Sequence, residues 1–173
     1  TVVVDTNVLA ALMLPTASSI DVAAQLRRDP DWRVPPLWRS EFRHVLLKHV
    51  RAGLVQPEQA IAVWHKALER LELCEHPVVG QQVLDLAIRH GCSSYDAEFV
   101  VLAQQLICPL LTFDRKLLEL SQLGIETWAI EAAPAGAETG RSDPQQGLVH
   151  NENTSPFLSN GGVPFDQALS LTD

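Results

Sequence analysis

Four acidic residues, Asp5, Glu41, Asp96 and Asp114, stand where a carboxylate has chemistry open to it. Asp5 directly follows the apolar run Val2-Val3-Val4, and Asp114 follows Leu110-Leu111-Thr112-Phe113. Such runs read as strands buried on both faces. Both acids then lie at the carboxyl edge of one parallel sheet, where open α/β sheets bind ligands. Asp96 precedes Phe99, Val100 and Ala103 at helical spacings, so it falls on the inward face of its helix, where a carboxylate needs a partner. Glu41 adjoins Phe42, at the edge of an apolar stripe completed by Val45, Leu46 and Val50. No local spacing joins the four acids; only a fold gathers them. Gathered, an all-oxygen set suits a hard divalent cation. Each acid also has a purely structural reading. Asp5 and Asp114 can cap the helices that follow them, Asp96 can close a capping box with Ser93, and Glu41 can pair with Arg43 on a solvated face.

The elements that must position these acids alternate along the chain. Strands are expected at 2–4, 32–34, 73–75, 109–113 and 125–128, with helices at 8–14, 18–29, 37–52, 57–71, 80–90, 94–103 and 115–123. Gly53, Gly91 and Gly124 end three of the helices, and Pro57 opens one. Along 80–90, Val83, Leu84, Ala87 and Ile88 read as the inward face. Alternation of this kind means an α/β domain with a mostly parallel sheet. Composition changes near residue 133. Residues 133–173 hold five of the nine Gly and four of the eleven Pro without an apolar period. The expected division is therefore a domain over 1–132 and a disordered tail over 133–173.

A chain of 173 residues with 46% hydrophobic content has enough for one real core. No apolar run reaches the roughly 18 residues of a membrane span, and no basic signal-peptide n-region opens the sequence. Three Cys without a CxxC fit reduced thiols, so a cytoplasmic location without membrane association is expected. The net charge of −8 argues against nucleic-acid binding driven by overall charge, and leaves room for a local basic rim around an acidic site. The six His form no ligand set: HExxH is absent, and His44 and His49 are five apart. GxSxG, P-loop and GxGxxG patterns are absent as well.

Val4-Asp5-Thr6-Asn7, Ser40-Glu41, Ser94-Tyr95-Asp96 and Leu111-Thr112-Phe113-Asp114, in this order and at these wide separations, resemble the PIN-domain family over roughly residues 1–130. Length and compactness resemble the VapC-type toxin ribonucleases of bacterial toxin–antitoxin pairs. The resemblance implies a three-layer α/β/α fold with a central parallel sheet in order 3-2-1-4-5. It also implies an endoribonuclease dependent on Mg2+ or Mn2+, a cognate antitoxin protein, an RNA substrate and a homodimer. Asp5 and Asp96 are then expected as direct metal ligands. Asp114 becomes a direct or water-mediated ligand, and Glu41 binds a second metal or holds the metal waters. Thr6, Asn7 and Thr112 would orient carboxylates or water, and Arg39, Arg43, Arg115 and Lys116 would contact RNA phosphates. The tail beyond 133 has no counterpart in the resemblance. Two competing readings are a catalytically silent PIN-like binding module and a haloacid-dehalogenase-like phosphatase. The latter needs a second Asp where this chain has Asn7.

Overall fold

The three valines that open the chain form strand β1 (Val2–Val4), and none of them is accessible to solvent. Their side chains alternate between two separate cores. Val2 and Val4 pack with residues of α1 (Thr6–Met13), α2 (Ser19–Arg28), α3 (Trp38–Arg51) and α4 (Pro57–Leu71). Val3 packs on the other side with residues of α5 (Gly80–His90), α6 (Ser94–Leu106) and α7 (Arg115–Glu119). A strand has a side-chain period of two, so an all-apolar strand must feed cores on both faces. The result is the three-layer α/β/α arrangement. The computed structural model describes residues 1–14, 19–120 and 127–129. The tail expected over 133–173, the Ser18 cap and most of the segment between α7 and the last strand lie outside them.

Among the described residues the sheet has four parallel strands in the order β2-β1-β3-β4, with β2 at Trp32–Arg33, β3 at Leu110–Thr112 and β4 at Thr127–Ala129. Among the described residues the expected order 3-2-1-4-5 lacks one member, the outermost strand beside β2. The segment expected as a strand at 73–75 coils into a 3-10 turn, Glu72–Cys74, with Leu73 90% exposed. Only one parallel bridge, Val34 with Glu75, remains beside β2. A second correction concerns α5. Val83 and Leu86 are buried, whereas Leu84 and Ile88, expected inward, are 60% and 72% exposed. The apolar arc of this helix is wider than the surface it covers, and periodicity alone does not choose which part is covered.

This topology places the site. From β1 the chain crosses to β2 on one side, and it later returns to form β3 on the other side of β1. The carboxyl ends of β1 and β3 thus flank a point where the strand order reverses and a crevice opens.

Candidate functional site

Asp5 is the residue on which β1 ends and α1 begins. Its N–H extends the ladder to the Leu111 carbonyl at 3.0 Å, and its own carbonyl accepts from Val8 and Leu9. It occupies the N-cap position of α1, yet its side chain makes no capping hydrogen bond. Instead the carboxylate, only 5% exposed, accepts a hydrogen bond from the Thr112 hydroxyl at 2.8 Å. Register explains the contact: Val4 lies opposite Leu111, so the next residue on each strand, Asp5 and Thr112, face each other. The same Thr112 oxygen accepts the Asp114 N–H at 2.9 Å. One buried hydroxyl therefore fixes both strand-end acids.

Asp114 serves two ends at once. Its Oδ1 accepts from the Lys116 N–H at 2.8 Å and caps α7, so the structural reading holds for that oxygen. Among the described residues Oδ2 takes no hydrogen bond. Asp96 sits in the first turn of α6, where its N–H donates to the Ser93 hydroxyl at 3.0 Å. This is half of a capping box. Among the described residues the Asp96 carboxylate makes no reciprocal bond. Glu41, in the first turn of α3, accepts from the Thr6 hydroxyl at 2.6 Å, a link from α1 across to α3. Glu41 does not pair with Arg43, whose guanidinium donates to Ser40 and lies over the Trp64 ring at 5.1 Å.

All four acids line one cavity of about 630 Å³, together with Thr6 and Asn7. Burial pushes the Asp5 carboxyl up from the usual 3.8 to about 6; the Thr112 hydrogen bond opposes this, while the Glu41 and Asp114 carboxylates add to it. Burial likewise raises Glu41 against the Thr6 hydrogen bond, with the Asp96 and Glu98 carboxylates adding to the rise. Negative charge is concentrated here, and among the described residues no Lys or Arg lines the cavity. Such a site draws a cation, and the carboxylate oxygens of its four acids suit a hard divalent ion. Among the described residues no three His, Cys, Asp or Glu side chains are arranged to hold an ion as they stand.

The four basic residues expected against RNA divide. Arg39 is engaged in an ion pair with Glu75, which also accepts from Trp38 Nε1 at 2.7 Å. Arg43 is held on Trp64. Arg115 and Lys116 are exposed beside Asp114 and make no ion pair among the described residues. The residue reading missed three side chains. His44 lines the cavity one turn after Glu41, a position available from the helical spacing, and Tyr95 lines it beside Asp96. Part-buried Glu98 adds its charge to Glu41, and nothing in the sequence pattern signals it.

Comparison with known proteins follows the same geometry. A family model described as PIN domain matches residues 2–123. Ribonuclease VapC3 of Pyrobaculum aerophilum is 31% identical over 120 residues, 68% of this chain and 92% of the relative. Ribonuclease VapC9 of Mycobacterium tuberculosis is 32% identical over 124 residues, 70% of this chain and 91% of the relative. Among solved structures, that of PAE2754 from Pyrobaculum aerophilum superimposes with a TM-score of 0.57 at 23% identity, covering 73% of this chain and 89% of the other.

Proposed function

Because this chain belongs to the PIN domain family, in its VapC type, we propose that it is an endoribonuclease dependent on Mg2+ or Mn2+ and the toxin of a type II toxin–antitoxin pair. The observation that supports this most is the convergence of Asp5, Glu41, Asp96 and Asp114 on one cavity with no Lys or Arg in its lining among the described residues. The ribonuclease names of the relatives support the substrate class.

In this reading Asp5 and Asp96 are direct metal ligands. Asp114 serves directly or through water with the oxygen its cap leaves over, and Glu41 takes a second ion or the metal waters. When bound, the ion lowers the pKa of water and offsets the charge that builds on phosphate during hydrolysis. The chain does the positioning. Thr112 holds Asp5 and the Asp114 backbone, and Thr6 holds Glu41 across the gap between α1 and α3. Asn7, in the cavity wall, orients water. Arg115 and Lys116 steer RNA phosphates toward the cavity. Arg39 and Arg43 serve that end less, because Glu75 and Trp64 already occupy them.

The partners in this reading are a cognate antitoxin, whose gene neighbours that of the toxin, and a second copy of the chain, all in the cytoplasm. No described helix is long and apolar enough to cross a membrane. The test is cleavage of total RNA by the purified chain in Mg2+ or Mn2+, repeated in EDTA. Metal-dependent cutting that EDTA abolishes is expected; no cutting under either condition favours the silent binding module.

A further inference from the structure

The cavity that holds the acids has a second kind of wall. Leu37 and Val45 of the α3 side and Phe99 of α6 give it apolar surface, and Tyr95 stands at its edge next to Asp96. Tyr95 is 60% exposed. Of the large hydrophobic side chains that are exposed among the described residues, it is the one that lines this cavity. Its hydroxyl makes no hydrogen bond and its ring no aromatic contact among those residues. A flat aromatic face, unpartnered and beside a cluster of carboxylates, is therefore open to a ligand.

The two walls describe that ligand. One end must tolerate or bridge the acids, as a phosphate does with a divalent cation between. The other must offer a flat face to an aromatic ring. A nucleotide has both features. Among the described residues the lining supplies no Lys or Arg to grip phosphate, which leaves part of the binding to the base. A base inside a duplex already has its faces covered by its neighbours, whereas an unpaired base presents one. We propose that Tyr95 is the stacking platform for an unpaired base of the RNA, next to the phosphate that enters the acid cluster. This deepens the ribonuclease reading above and rests on it. Tyr95 thus acts in substrate positioning and selects single-stranded segments.

The chain contains a single Tyr, so incorporated fluorotyrosine gives one fluorine resonance, and it belongs to this position. The full-length chain in Mg2+ is titrated with short oligoadenylate, with the same strand paired to oligouridylate, and with a strand of equal length lacking bases. Fluorescence polarisation measures binding in parallel. The single strand is expected to shift the resonance upfield, and the duplex and the base-free strand to leave it in place. Tyr95→Ala is expected to weaken oligoadenylate binding about tenfold or more and leave base-free binding unchanged, with Tyr95→Phe close to wild type. Tight oligoadenylate binding with an unmoved resonance and an indifferent Tyr95→Ala overturns the proposal and leaves the ribonuclease reading standing. A resonance moved by a co-expressed partner protein but not by oligoadenylate also overturns it. Absence of both binding and metal-dependent cleavage overturns the two together.

Discussion

One hydroxyl decides the geometry of two acids. Thr112 is fully buried, donates to Asp5 and accepts from the Asp114 N–H. Thr112→Val keeps the shape and removes both bonds, leaving the buried Asp5 carboxylate without its side-chain donor. The expected cost is about 1–3 kcal/mol at pH 7 in EDTA, read by urea unfolding. The cost shrinks near pH 5, where Asp5 is mostly protonated, because its carboxyl moves up to about 6. Equal stability of variant and wild type at pH 7 would mean that Asp5 does not depend on this bond. At this scale the sequence is a good guide wherever a strand delivers the residue. Asp5, Thr112 and Asp114 are legible because a buried apolar run must end at the sheet edge. Tyr95, His44 and Glu98 are not, since their roles depend on how α3 and α6 face each other across the crevice.

At the scale of elements, Asp114 and Asp96 separate capping from charge differently at the starts of their helices. In α7 the Asp114 side chain is itself the cap. Asn also caps well, so Asp114→Asn is expected to change stability by only a few tenths of a kcal/mol while weakening Mn2+ binding. In α6 the cap is Ser93 and the Asp96 carboxylate is spare. Ser93→Ala is expected to cost about 1 kcal/mol and to leave Mn2+ affinity near wild type. The opposite pattern, an unchanged fold with lost Mn2+ affinity in Ser93→Ala, would contradict these assignments. Element boundaries follow the sequence closely where a breaker marks them, as Gly91 does after α5 with a left-handed φ of 63°. They fail where two structures satisfy the same residues. Residues 73–75 have strand-like composition, but residues 72–74 close a 3-10 turn instead, and a single bridge survives beside β2. The inward face of α5 fails for a related reason: five apolar residues span more arc than α6 covers.

The whole molecule holds an unbalanced charge at its centre, and this sets its response to pH. Asp5 and Glu41 both titrate above their unfolded values. The folded state therefore binds more protons than the unfolded state between the two pKa values, and stability must fall as pH rises through that window. In EDTA, Asp5 alone is expected to remove roughly 3 kcal/mol between about pH 4 and pH 7, since its shift runs from 3.8 to about 6. Saturating Mn2+ is expected to reverse the trend above pH 6. Urea unfolding across this range checks the sign, and stability rising with pH in EDTA would contradict it. A second expectation at this scale concerns the boundary proposed at 132. Its basis is composition alone, and truncation after Ala132 is expected to leave melting temperature and RNA cleavage nearly unchanged.

The central claim is that Asp5, Glu41, Asp96 and Asp114 act as one cation site. Calorimetric titration of Mn2+ into the wild type and into Asp5→Asn, Glu41→Gln, Asp96→Asn and Asp114→Asn tests it without RNA or turnover. Saturable binding by the wild type is expected, with affinity reduced in every variant and most severely in Asp5→Asn and Asp96→Asn, while each variant stays folded in EDTA. Mn2+ binding that is absent in the wild type, or indifferent to Asp5→Asn and Asp96→Asn, would contradict the claim.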